Sequence, residues 1–415
     1  MADATDNNAE YRCPGEKYPI SRAVHLGRLA RFYPACRDCP HRHDTGVLSP
    51  RQAKRLQETA RRGRKEPLFR REEIGGVALG QLSPGTVRDV AVAFGICLQR
   101  NLLVEPAPSE QPEVRDTVVV VAGDGRPAVA ELVAAACEGL RLAGCHVVDL
   151  GAASAACLMF TADRLGVAGG LLVGSGQGGL NRIAVKLFGP EAAPLSQDSG
   201  LDVVCGQWEH GIDRPTRRFG GAGRFQAETP YLDLFRPYYH ALRPLRFVLD
   251  SACPPVETYL DRLLADLACR AVVVHAGGEN LPEQVIAEEA HFGIHVDDDG
   301  ERCRVVDELG HWIATDRLLA LLASQSSADA SESKRVLALA PDIEWSSADM
   351  PGLAWEVAQL RDASSRAAVA AAMRQCAGTY GADLHGRLWS RAGGVPVPDA
   401  LHTLTQLLAL LSRSD

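Results

Sequence analysis

The stretch "DTVVVVAGDGRPAVAELVAAACEGLRLAGCHVVDLGAASAACLMFTADRLGVAGGLLVGSG", residues 116–176, constrains the fold more than any other part of the chain. "TVVVVA", "HVVDLG" and "GGLLVG" are short apolar runs rich in Val and bounded by Gly and Asp, the pattern of buried strands. Between them lie two stretches of helical length, the first closed by Gly144. Parallel strands need long crossovers, and strands of this kind separated by helices predict a mostly parallel sheet covered on both faces. The chain is therefore read as α/β.

The alternation continues. "LRFVLDSACPP" and "RAVVVHA" are strands around the helix "VETYLDRLLADLAC", followed by "FGIHVDDDGERCRVVDELGHWI". A Ser/Ala-rich linker, "ASQSSADASESK", precedes a third unit made of "RVLALA", "AAVAAAMRQC" and the last helix, "PDALHTLTQLLALLSR". Residues 189–228 read as a loop-rich connection. With 415 residues, 46% of them apolar, several cores can be buried. The expected division is a Cys/His module and basic helix at 1–66, then α/β units at 67–228, 229–313 and 314–415. No apolar run approaches the ~18 residues of a membrane span, and the N-terminus lacks the pattern of a signal peptide. A cytoplasmic protein without membrane contact is expected.

Charge is divided unevenly. Residues 1–71 carry 16 Lys and Arg against 8 Asp and Glu, whereas the remainder carries 28 against 44. The excess of base marks the N-terminal region as a separate module. Its helix "LSPRQAKRLQETARRGRKEP", with Ser49 as N-cap and Pro50 in the first turn, lacks the interleaved aromatics of single-strand binders. It reads as a solvated face rather than a nucleic-acid contact.

"HVDDDGERC", residues 295–303, places Asp297, Asp299 and Glu301 at alternate positions just beyond an expected strand. An extended backbone projects all three to one side, and oxygen donors alone suit Mg²⁺ rather than Zn²⁺. A solvated acidic turn is the competing reading. The segment resembles the metal loop of the α-D-phosphohexomutases (phosphoglucomutase, phosphomannomutase and phosphoglucosamine mutase), D-G-D-G-D-R followed by an apolar strand and D-E-x-G. Here Glu301 stands for the third Asp, and "VVDELG" follows. "VAGDGRPAVAELVAAACEGLRLAGCHVVDLG" and "GGLLVGSGQGGLNRIAVKLFGPEAAPLS" are similar to further family segments in the same order. The resemblance covers much of residues 68–415. It implies successive α/β/α domains with mixed, mostly parallel sheets and a phosphosugar ligand; three such domains are expected here, with the family's fourth absent.

The catalytic parts depart from the family. Its mechanism uses a phosphoserine, and the gapless register puts Gly176 there, with Gln177 and Gly178 replacing His and Asn. Ser175 lies one position early, which in an extended loop turns its side chain to the other face. "FRREEIGG", Phe69–Gly76, replaces "FGTSGIRG", so a phosphate-contacting Arg becomes Gly75. In the sugar-reading G-G-E-x-S-G-H loop the polar positions become Asp383, His385 and Arg387, while Lys186 and Arg302 are kept. The expectation is a phosphohexomutase relative without mutase activity, acting by binding a sugar phosphate or a protein partner. An active mutase using Ser175 and a metal-bound scaffold built on the N-terminal module are the alternatives.

Of twelve cysteines, Cys13, Cys36 and Cys39 are grouped. With His41 or His43 as fourth ligand, and His25 as a competitor, they suit a Cys₃His zinc site. An iron–sulfur cluster and three unliganded cysteines are the competing readings. The remaining cysteines read as small core residues.

Overall fold

A computed structural model describes residues 10–14, 16–31, 33, 35–36, 39–46, 48–52, 54, 67–77, 80–103, 117–176, 182–211, 219–325, 336–341, 343, 356–391 and 394–413. Two compact units are present, Met1–Pro67 and Leu68–Asp415. In the first, strands β1 (Glu10–Tyr11) and β2 (Ile20–Ser21) pair antiparallel. Ser21 then caps the helix Arg22–Ala30, its Oγ accepting the Val24 N–H. Ser49 likewise accepts the Gln52 N–H, as expected of an N-cap. Residues 55–66 of the basic helix lie outside the described residues, as do 326–335 of the linker.

The second unit holds three sheets built on one plan. Strands β3 (Ile74–Val77), β4 (Val118–Gly123), β5 (His146–Ala152), β6 (Gly169–Ser175), β7 (Arg182–Phe188) and β8 (Ala222–Arg224) are ordered β3-β7-β6-β4-β5-β8. Next come β9 (Arg246–Ser251), β10 (Arg270–Val274), β11 (Phe292–Val296), β12 (Cys303–Asp307) and β13 (Trp312–Ile313), ordered β10-β9-β11-β12-β13. The last sheet, β14 (Val336–Leu339), β15 (Glu356–Gln359), β16 (Tyr380–Ala382), β17 (Leu388–Ser390) and β18 (Val397–Pro398), is ordered β15-β14-β16-β17-β18.

In each sheet a first strand has parallel neighbours on both sides, and the second of these turns back through a hairpin into an antiparallel fourth strand. The fifth place belongs to β13 or β18 in the later sheets. In the first sheet β3, from before the repeat, fills it.

Ordinary local rules place the helices. Ser83 caps Pro84–Gln99, with Pro84 in the first turn where its missing N–H costs nothing. Ser154 caps Ala155–Leu165, which ends at Gly166 in the left-handed region. Strand alternation divides the first sheet's core. Val119, Val121, Leu171, Val173, Ile183, Val185 and Leu187 pack on the side of Pro84–Gln99 and of the helix Ala130–Leu142. Val120, Ala122, Leu172 and Phe188 pack on the side of Ala155–Leu165.

One expectation fails here. Residues 189–228 contain a helix, Leu201–His210, and strand β8. Only Leu201 and Val204 of that helix are fully buried, so its apolar signal is too sparse to separate from loop.

Candidate functional site

The plan of the sheets brings three loops into equivalence: 176–181 joins β6 to β7, 297–302 joins β11 to β12, and 383–387 joins β16 to β17. They are the nucleophile, metal and sugar loops implied by the family resemblance. The latter two close in a similar way, across five and four residues. Asp297 N–H donates to the Arg302 carbonyl at 3.1 Å, and Asp383 N–H to the Arg387 carbonyl at 3.2 Å. Asp297 Oδ1 accepts the N–H groups of Glu301 and Arg302, and Asp383 Oδ1 those of His385 and Arg387. Each aspartate's Oδ2 takes its loop's own arginine, Arg302 Nε at 2.9 Å and Arg387 Nη1 at 3.1 Å. The two loops meet through an antiparallel bridge between Arg302 and Arg387.

Around this bridge buried side-chain charges pair with one another. Lys186 Nζ bonds Asp299 Oδ2 and lies 3.9 Å from Glu301 Oε2. Arg366 donates to Glu301 Oε1 at 2.8 Å and to the Glu72 main-chain carbonyl at 2.6 Å. Arg387 Nη2 bonds Glu72 Oε2 at 2.7 Å, and its Nε lies 3.4 Å from Glu301 Oε2. Arg366, Arg387 and Glu301 are each only 2% exposed, so these charges are all but removed from water. Burial alone would raise the Glu301 pKa, but Arg366, Lys186 and Arg387 overcome it and hold the carboxyl below the usual range. Glu72 is lowered for the same reason: Arg366 and Arg387 outweigh its burial. Burial raises Asp299 to about 7, with Lys186 opposing.

The register of β6 and β7 separates Ser175 from this cluster. Leu172 pairs with Lys186 and Gly174 with Ala184, so these four side-chain positions share one face. Ser175 pairs with Ile183 on the other face, where Ile183 packs in the core beneath Pro84–Gln99. Gly176 begins the loop with its N–H on the Arg182 carbonyl at 3.3 Å. A Cβ at Gly176 would lie 3.1 Å from the Ile183 carbonyl carbon and oxygen, tighter than ordinary contact. Gln177, Gly178 and the rest of that loop to 181 lie outside the described residues.

The acidic loop was expected to offer Asp297, Asp299 and Glu301 to Mg²⁺. As arranged, the donor set does not fit. Asp297 is spent on closing its own loop, Glu301 on two guanidinium groups, and Lys186 stands between Asp299 and Glu301. Among the described residues, the one set of three Cys, His, Asp or Glu with ligand atoms within 4.8 Å of one another is Cys13, His25 and Cys39. Gly300 shapes the loop: its φ is +72°, and a Cβ would lie 3.0 Å from Val256 Cγ2. Its carbonyl accepts the Ala400 N–H at 3.0 Å, and that of Asp299 the Ala155 N–H at 3.5 Å. The loop thereby ties the second sheet to elements flanking the first and third.

Of the expected sugar-reading residues, Asp383 and Arg387 are committed to the ion cluster, and Asp383 also takes Trp389 Nε1 at 3.3 Å. His385 instead lines a cavity of about 590 Å³ with His295, Arg302, Arg304 and Trp312. The Arg304 guanidinium stacks 3.8 Å from the Trp312 ring centre. Gly75, where the resemblance implied a phosphate-contacting Arg in the family, lies in β3 opposite Ala184.

In the N-terminal unit the histidine beside the sulfurs is His25 rather than the expected His41. Cys13 Sγ lies 3.4 Å from His25 Nδ1 and 3.6 Å from Cys39 Sγ. His41 instead sets its ring edge-on to Tyr11, with its centre 6.4 Å from that of His25. Spacing along the chain favours the His nearest Cys39, but the helix Arg22–Ala30 folds His25 back against the sulfurs. His43 bonds Arg42 on the surface.

Sequence reasoning missed Glu72 and Arg366. Both are defined by partners far along the chain, Arg366 meeting Glu72 across 294 residues. One signal was readable: an arginine opening an otherwise Ala-rich apolar helix, "SSRAAVAAAM", with Ser365 as cap.

The profile of the phosphoglucomutase/phosphomannomutase α/β/α domain I matches residues 66–203. A phosphoglucosamine mutase of Frankia casuarinae is 28% identical over 283 residues, 62% of this chain and 59% of that protein. A phosphoglucomutase/phosphomannomutase of Thermococcus kodakarensis is 25% identical over 284 residues, 62% of this chain and 58% of the relative. The chain thus spans under two thirds of the length of these relatives. A crystal structure of a phosphoglucomutase/phosphomannomutase family protein from Burkholderia thailandensis superposes with a TM-score of 0.70 at 20% identity, covering 84% of this chain and 77% of that one. Residues 66–203 thus match domain I of the phosphoglucomutase/phosphomannomutase family, the relatives are similar over under two thirds of their length, and the three sheets share the fold of the Burkholderia thailandensis protein.

Proposed function

We propose that this protein is a phosphohexomutase relative that transfers no phosphoryl group and binds an anionic sugar derivative, of the sugar-phosphate class, in the cavity between its second and third sheets. The observation that carries the loss of transfer is the ion cluster. Lys186, Arg366 and Arg387 are bonded to Asp299, Glu301, Glu72 and Asp383, so none stands ready to take a phosphate. Ser175 faces the opposite side of its sheet from Lys186. In this reading Lys186, rather than Mg²⁺, neutralises the acidic loop.

The cavity supports the binding half. Its Arg304, His295 and His385 supply positive charge or hydrogen-bond donors, and Trp312 supplies a flat apolar wall, the combination that suits a charged ring, while Arg302 there is paired with Asp297. No helix among the described residues is long and apolar enough to cross a membrane. Calorimetric titration with glucose, mannose and glucosamine 1-phosphates tests the proposal, alongside a turnover assay with each. Binding of at least one sugar phosphate, weakened at least about tenfold in Arg304→Ala and without conversion to the 6-phosphate, is expected. Turnover, or no binding to any of the three, would overturn it.

A further inference from the structure

We propose that the N-terminal unit holds a tetrahedral Zn²⁺ ion on Cys13, Cys36, Cys39 and His25, with His25 supplying nitrogen through Nδ1. The distances among Cys13, Cys39 and His25 carry it. Ligands of a tetrahedral zinc with Zn–S of about 2.3 Å and Zn–N of about 2.05 Å stand about 3.8 Å apart as S···S pairs and about 3.6 Å apart as S···N pairs. Cys13 Sγ and Cys39 Sγ are 3.6 Å apart, and Cys13 Sγ and His25 Nδ1 are 3.4 Å apart. The sulfur separation is far beyond the ~2.05 Å of a disulfide, and all three cysteines are free thiols.

The histidine is held for the task. Its Nε2 faces the Asp44 main-chain carbonyl at 3.3 Å, an acceptor, which puts the ring proton on Nε2 and leaves the Nδ1 lone pair toward the sulfurs. Tyr11 stacks on the imidazole at 4.4 Å and 3°, and the Tyr11 hydroxyl and Arg22 both bond the Asp44 side chain. His25 is 0% exposed. Cys36 is buried and begins the turn that returns to Cys39, whose N–H donates to the Cys36 carbonyl at 3.4 Å. Cys36 Sγ stands outside the set of three whose ligand atoms lie within 4.8 Å of one another, so to serve as the fourth donor it must turn toward them when the metal binds.

Among the described residues, the buried apolar cluster around this site is Tyr11, Cys13 and Cys39, with Ile20 packed against it. A structural zinc there contributes directly to folding.

The test uses the whole protein, purified without chelator or added metal. Elemental analysis should find one zinc per chain. Exchange with Co²⁺ should give the visible bands of tetrahedral cobalt together with thiolate charge transfer. His41→Ala and His43→Ala should keep the metal, and His25→Ala should weaken it by more than about tenfold in competition with a chelating dye. His25→Cys should restore binding with a cobalt spectrum shifted toward four sulfurs, which separates lost ligation from lost folding. Wild type without metal, iron with labile sulfide in place of zinc, unchanged zinc affinity in His25→Ala, or loss in His41→Ala would each overturn the assignment.

Discussion

Arg366→Met removes one guanidinium from the ion cluster while keeping most of the side-chain volume. In the structure that guanidinium bonds Glu301 Oε1 at 2.8 Å and the Glu72 carbonyl at 2.6 Å, with all partners buried. Two unit charges about 4 Å apart interact by about 4 kcal/mol at an effective dielectric constant of about 20. Removing one partner of a buried pair costs about 3–5 kcal/mol, because the other charge is left without compensation. Arg366→Met should therefore lower the unfolding free energy by about 3–5 kcal/mol. Adding Glu301→Gln removes the orphaned charge, so the double variant should recover about 1–3 kcal/mol relative to the sum of the two single losses. Urea titrations followed by tryptophan fluorescence and far-ultraviolet dichroism measure all four corners of the cycle. A loss under about 1 kcal/mol in Arg366→Met, together with no coupling to Glu301, would mean that water reaches these charges. The claim that the centre is clasped shut by its own side chains would then fail.

Three other perturbations probe separate parts of the account. Lys186→Met leaves Asp299 and Glu301 without their shared ammonium, so Mg²⁺ should raise the melting temperature of the variant and not that of wild type; an equal shift in both would show that the lysine does not stand in for a cation. Gly300→Ala forces a side chain into φ +72° against Val256 and should cost about 1–3 kcal/mol in a denaturant titration; a neutral result would contradict the described loop. His402 is buried, which lowers its pKa to about 4. The unfolded chain takes up that proton near pH 6.5 and the folded one does not, so this group's contribution to stability falls by about 3 kcal/mol as pH drops from 6.5 to 4, opposed by the gain from buried Asp299 and Asp399, whose pKa values are raised. His402→Gln should make the variant more stable at pH 4 relative to pH 6.5 than wild type is, and an unchanged slope would contradict the assignment.

The α/β class and the strands of the second unit were legible because buried parallel strands are short Val- and Leu-rich runs with turn residues at both ends. The acidic loop, the glycine at 176 and the reversed position of Ser175 were legible too, since side-chain alternation needs only the register of one strand. What the paired carboxylates do was hidden. Asp297 and Asp383 look unrelated in the chain, and only the repeated strand order shows them as the same closing residue in two equivalent hairpins. Glu72 and Arg366 acquire meaning through each other, at a separation that no local pattern reports. His25 was outweighed by a nearer histidine because spacing ignores the way a helix folds back on the strands before it.

The central claim, that the inherited centre has no group left to carry a phosphate, is tested most directly by intact-mass analysis after incubation with Mg²⁺ and glucose or mannose 1,6-bisphosphate. The account predicts a mass unchanged from that of the untreated protein. A stable phosphoryl adduct that peptide mapping places on Ser175 would contradict it.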